Sequence, residues 1–186
     1  MDKLALIKAK SIQDHIPYVR DKTLELIIDL INKNKVKSIL EIGTAYGYSA
    51  YAMSKCKYVN KVITVEKNVE NYRMAIDFLK DSKVNCINFD AFIYAPDLQF
   101  DLIFIDGPKS HQEQLVKKYM NYLSNNGFMI IDNIYLKKFE KLPLLSKNQR
   151  NLIRKVKQFK EWLLSNKELV VKIVDIDDGV AIISNN

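Results

Sequence analysis

Five short apolar runs recur along the chain, and each is closed by glycine or by a polar residue: SILEI (Ser38 to Ile42, stopped by Gly43), VITVE (Val62 to Glu66), VNCINF (Val84 to Phe89), FDLIFID (Phe100 to Asp106) and GFMIID (Gly127 to Asp132). Near-continuous apolar runs of this length suit strands whose sheet is covered on both faces. Between them lie stretches of helical spacing, Tyr48 to Lys55, Val69 to Asp81 and Ser110 to Ser124, the last expected to turn Leu115, Tyr119, Tyr122 and Leu123 inward. An earlier helix is marked by Leu24, Ile27, Ile28 and Ile31 and should end in the polar stretch NKNKVK. The alternation predicts an α/β fold with a doubly wound, mostly parallel sheet. The tail departs from it: a basic helix from about Asn148 to Asn166 leads into LVVKIVDI, then DDG, then VAIIS, which is a hairpin signal. The whole is expected to be a seven-stranded sheet with a C-terminal antiparallel hairpin. The one long irregular stretch, Lys137 to Lys147, is expected to lie over a binding site.

The 186 residues, 48% of them apolar, fit a single domain spanning 1–186 with one core. Cys56 and Cys86 have no partner His or Cys at metal-ligand spacing, so neither a zinc site nor a disulfide framework is expected. No run reaches the ~20 apolar residues needed to span a bilayer, and the start lacks the apolar stretch of a signal peptide. A soluble cytoplasmic protein with no membrane partner is the expectation. Charge is unevenly placed. Between Lys137 and Lys160, nine basic residues face one acidic residue, Glu140, so this window carries +8 of a whole-chain net charge of +7 and the remainder carries −1. Such a patch can meet a polyanion by releasing its condensed counterions, or it can reflect a lysine-rich composition.

In open α/β sheets the ligand crevice lies beyond the carboxyl ends of the strands, so the residues that end each run carry the chemistry. The first run gives Glu41-Ile-Gly43-Thr-Ala-Tyr-Gly47, in which the glycines let the backbone turn tightly and approach a ligand. Ala45 and Tyr48 stand where G-x-G-x-x-G would need glycine, which argues against a NAD-dependent dehydrogenase. Glu66, twenty-five residues after Glu41, is placed to accept hydrogen bonds from ribose hydroxyls, or else to cap the helix that follows. Asp90-Ala91 could meet an adenine amino group, although Asp is common in turns. Asp106, Asp132 and Asn133 would converge two carboxylates and an amide oxygen, a set suited to Mg²⁺. Lys109 is the favoured general base; His111 is a second candidate.

Taken together and in order, these residues resemble the metal-dependent O-methyltransferase family that includes catechol and caffeoyl-coenzyme A O-methyltransferases and bacterial tRNA 5-hydroxyuridine methyltransferase, its tRNA-modifying members most of all. IPYVRDKTLELI, EIGTAYGYSA, VITVEKN, FDLIFIDGPK, IIDN and the final helix with its hairpin carry the resemblance across most of the chain. It implies an S-adenosylmethionine-dependent enzyme in which Asp106, Asp132 and Asn133 ligate Mg²⁺ or another divalent cation. Val19, Glu41, Gly43, Ser49, Glu66, Asp90, Ala91 and Asp106 would line the cofactor site, and Lys109 would be catalytic with Asp106. The chain departs from the family pattern in Gly107-Pro108, expected to reshape the pocket wall, and in N-terminal helices expected to be short or absent; the resemblance leaves room for a homodimer.

Two substrates compete. The basic window favours tRNA, with Lys137, Lys138, Arg150, Arg154 and Lys157 as RNA-binding candidates and a hydroxylated wobble uridine as the target. A catechol-like small molecule would need an apolar, aromatic-lined slot, to which Tyr135 and Phe139 could contribute. A non-catalytic nucleotide- or RNA-binding α/β protein is the alternative from another class.

Overall fold

The computed structural model describes residues 2–140 and 142–185, apart from the side chains of Lys138 and Glu140. Two helices precede the first strand: α1 (Lys3–Gln13), where N-terminal helix was expected to be short or absent, and α2 (Asp21–Lys33), the expected helix. There follow β1 (Ser38–Ile42), α3 (Tyr48–Ser54), β2 (Lys61–Glu66), α4 (Val69–Leu79), β3 (Val84–Asn88), β4 (Phe100–Ile105), α5 (Gln112–Tyr119), β5 (Leu123–Asp132), α6 (Lys137–Glu140), α7 (Lys147–Ser165), β6 (Leu169–Val174) and β7 (Val180–Asn185). One seven-stranded sheet runs β3-β2-β1-β4-β5-β7-β6. Its first five strands are parallel, while β7 pairs antiparallel with both β5 and β6.

The apolar runs form central strands because their side chains are taken up on both faces. Ile39, Leu102, Phe104 and Ile130 pack with α1, α2 and α3 on one side. Leu40, Ile42, Ile103, Ile105 and Ile131 pack with Leu115, Tyr119, Phe159 and Leu163 of α5 and α7 on the other. No helix among the described residues is long and apolar enough to cross a membrane.

Two boundaries differ from the sequence reading. The stretch read as one helix from Ser110 to Ser124 is a short 3-10 turn at Lys109–His111, α5, and a second 3-10 turn at Met120–Tyr122. The strand after it begins at Leu123 rather than Gly127: Phe100 pairs with Leu123 and Leu102 with Phe128, so residues 124–127 bulge from the ladder. The stretch Lys137 to Lys147 is not wholly irregular, since α6 occupies its start. The basic helix α7 starts at Lys147 on a capping box: the Ser146 hydroxyl accepts from the Gln149 backbone N–H while the Gln149 side chain accepts from that of Ser146.

Candidate active site

Strand order reverses between β1 and β4, whose carboxyl ends part to leave a crevice of about 470 Å³. Gly43, Glu66, Asp106, Lys109, Asp132 and Asn133 all border it, contributed by the ends of four strands. Gly43 is required there on two counts. Its φ of +99° belongs to the left-handed region, and a Cβ would lie 2.4 Å from the carbonyl oxygen of Asp106. The close approach is locked by backbone bonds from Gly43 N to Val65 O and from Asp106 N to Ile42 O, each 3.0 Å.

Glu66 ties the glycine loop to the next turn. One carboxylate oxygen accepts from Ala45 N at 2.8 Å and the other from Asn68 N at 2.7 Å, and the residue lines the crevice. Asn68, not Glu66, caps α4. Glu41 lies beneath the loop, fully buried, and accepts from the hydroxyls of Ser49 and Thr64; it does not border the crevice. Burial pushes its carboxyl up to about 7, against the two hydroxyl bonds and with a smaller push from Glu66. Val19 and Ser49 line a small recess that continues the crevice past Gly43 and Asp106. Asp90 and Ala91 lie beyond β3 and outside the crevice lining; Asp90 pairs with Lys67 at 2.8 Å and accepts from Phe92 N at 2.9 Å, a local turn bond.

Asp106 and Asp132 sit side by side at the ends of β4 and β5. Burial raises both, Asp106 well above the usual carboxylate range and Asp132 to about 6. The Asp132 charge raises Asp106 further, the positive charge of Lys109 opposes both shifts, and the Asn133 backbone N–H also lowers Asp132. Asn133 takes a left-handed φ of 61°, donates from its backbone to Asp132 at 2.7 Å and turns its side chain to Asp106 at 3.4 Å. Two crowded carboxylates beside an amide, with burial disfavouring their charge, form an oxygen donor set that a divalent cation would relieve. The set holds two carboxylates; among the described residues no group of three or more His, Cys, Asp or Glu side chains is placed to hold a metal. Gly107, packed against Ile42 and Leu115, borders the crevice, and Pro108 opens the 3-10 turn that presents Lys109. His111 is exposed, bonded to Ser110 and edge-on to Phe92, and borders a neighbouring cavity instead.

Three residues at this site escaped the sequence reading. Gln112 donates to the Asp132 carbonyl at 2.7 Å and so fixes the turn that carries Asn133. Arg20 and Asp178 pair at 2.7 Å on the crevice wall, with Asp178 buried and Arg20 half-exposed. The DDG turn that supplies Asp178 was legible only as a hairpin; nothing in sequence spacing placed it against Arg20.

Of the RNA-binding candidates, Arg150, Arg154 and Lys157 are exposed on α7, Lys137 pairs with Asp175 at 2.6 Å, and the Lys138 side chain lies outside the described residues. Lys160 of α7 lies over the Tyr135 ring, 4.3 Å from its centroid. A larger groove of about 970 Å³ runs between α1, α2 and α3, but it carries none of the strand-end carboxylates.

A seven-stranded sheet of this order, with its crevice at the switch point and a terminal hairpin, defines a methyltransferase of Rossmann-like fold. The chain belongs to the O-methyltransferase family, whose sequence profile matches residues 3–185. It is similar to a candidate caffeoyl-CoA O-methyltransferase of Staphylococcus aureus, with a TM-score of 0.91 and 30% identity over all of this chain and 93% of that one. An SAH-bound methyltransferase of Podospora anserina shares the fold, with a TM-score of 0.87 and 22% identity over all of this chain and 88% of that one. A probable cobalt-precorrin-6B C(15)-methyltransferase (decarboxylating) of Thermoplasma volcanium is 30% identical over 129 residues, 67% of this chain and 64% of that protein's length.

Proposed function

We propose that the chain is an S-adenosylmethionine-dependent O-methyltransferase, that Asp106, Asp132 and Asn133 hold a divalent cation such as Mg²⁺, and that the acceptor is the hydroxyl of a 5-hydroxyuridine in tRNA. The observation that carries this reading is the convergence of a ribose-competent carboxylate, a glycine loop, a buried carboxylate pair and a lysine about one crevice. When bound, the cofactor would supply an electrophilic sulfonium methyl, and a cation held by Asp106, Asp132 and Asn133 would lower the pKa of the acceptor hydroxyl. Glu66 accepts the ribose hydroxyls, Gly43 lets the backbone approach the cofactor, and Val19 and Ser49 form the recess beside it. Lys109, on the same crevice, would receive the hydroxyl proton in its neutral amine form, having shed its own proton as the cation binds beside it, while the S–CH₃ bond breaks and the O–CH₃ bond forms. Most of the rate is then orientation within the crevice.

The tRNA acceptor is supported by the cationic helix α7, whose Lys160 rests on Tyr135 just past Asn133. Its test is nucleoside analysis of tRNA from a deletion strain: the methoxyuridine-type nucleoside should vanish and its hydroxylated precursor accumulate. Unchanged methoxyuridine would sink the tRNA acceptor. A catechol-like small molecule is the second reading, favoured by Tyr18 on the crevice wall. A non-catalytic nucleotide- or RNA-binding protein would leave the buried carboxylate pair without a role.

A further inference from the structure

A second cavity, about 440 Å³, lies between the Lys109–His111 turn and α5 on one side and α7 on the other. Lys109 borders both this cavity and the crevice, so the two adjoin across one side chain. Its walls bring together Lys109, Lys117 and Lys155 against a single carboxylate, Glu113, which is held by Lys117 at 2.5 Å. Gln158 and His111 add neutral hydrogen-bonding groups. From its rim, Lys147, Arg150, Arg154 and Lys157 follow one another at helical spacing along α7 and form an exposed cationic row about 15 Å long, at ~1.5 Å per residue. A cationic recess next to the crevice, continued by such a row, offers charge to a run of phosphates rather than to one small acid.

We propose that this cavity is a phosphate subsite that takes the phosphodiester flanking the nucleotide whose base enters the crevice, with single-stranded RNA continuing along the α7 row. The volume falls within the ~300–1,000 Å³ of ordinary ligand pockets, so a phosphate and part of its sugar fit. Lysines suit this task as point charges that neutralise phosphate without demanding one geometry. The inference rests on the RNA reading of the crevice and adds to it a place for the backbone.

The test compares Lys155→Glu and Lys155→Gln with Lys33→Glu, the same charge change as Lys155→Glu made at the end of α2, on the opposite face of the sheet. Methyl transfer from labelled S-adenosylmethionine to tRNA from the deletion strain is followed over a range of salt. The KM for tRNA should rise about tenfold for Lys155→Glu and about threefold for Lys155→Gln, while Lys33→Glu stays within about twofold. The logarithmic salt slope should fall by ~0.7 for the lost phosphate contact in the Lys155 variants alone. Lys155 variants that move KM and slope no more than Lys33→Glu overturn the subsite. Wild-type protein that labels no tRNA removes the RNA reading itself, and the phosphodiester with it.

Discussion

Gly43 shows how one missing Cβ sets the site. Replacing it with alanine would force a methyl group to within 2.4 Å of the Asp106 carbonyl at a φ of +99°. Strain and overpacking together should cost about 2–4 kcal/mol, read as a fall of roughly 5–15 °C in Tm. Glu41 carries a different expectation. Its carboxyl is raised to about 7 in the fold, against an ordinary value of 4.5. The folded chain therefore binds more protons than the unfolded chain between those values, and Glu41's contribution to stability falls as pH rises from about 4.5 to 7. Glu41→Gln should flatten Tm against pH across that window; an unchanged slope would mean that other groups set it. Much of this chemistry was legible in sequence because strand ends are marked by polar residues after apolar runs. The depth of Glu41 was not, since a glutamate at a strand end reads alike whether it faces a ligand or hydroxyls beneath the loop. Gln112, Arg20 and Asp178 were hidden for a related reason: their roles arise from contacts between segments far apart in the chain, which local pattern does not encode.

Among the elements, the hairpin turn acts as a clasp between the two ends of the chain. Asp177 accepts from the backbone and hydroxyl of Thr23 in the first turn of α2, at 3.1 and 3.0 Å, while the carbonyl of Asp178 accepts from Tyr135 at 2.7 Å. Asp177→Ala should behave as loss of a helix cap, about 1 kcal/mol or a fall of 2–4 °C in Tm, measured by thermal denaturation. The alternation of strands and helices followed from apolar runs and helical spacing, and the final hairpin from the DDG turn between two such runs. The boundary at Leu123 did not, because a buried leucine satisfies a helix or a strand equally and only its pairing with Phe100 decides. The start of α7 was within reach, since Ser146 and Gln149 form a capping box that the sequence displays.

For the whole molecule, the fold places a buried carboxylate pair in the crevice and a basic helix along the cavity that adjoins it, and each has a consequence in solution. A cation that binds only the folded chain stabilises it by RT ln(1 + [L]/Kd), about 2.7 kcal/mol at one hundred times Kd. Mg²⁺ should therefore raise Tm by roughly 5–10 °C in the wild type and by much less in Asp132→Asn. The most direct test of the account is transfer of labelled methyl from S-adenosylmethionine to tRNA lacking the modification, with Mg²⁺ and with EDTA, beside a catechol panel. The expected result is label in tRNA that EDTA removes and that Asp132→Asn loses by at least about a hundredfold. Label confined to catechols would contradict the RNA acceptor, and failure to transfer methyl to any hydroxyl would contradict the central claim.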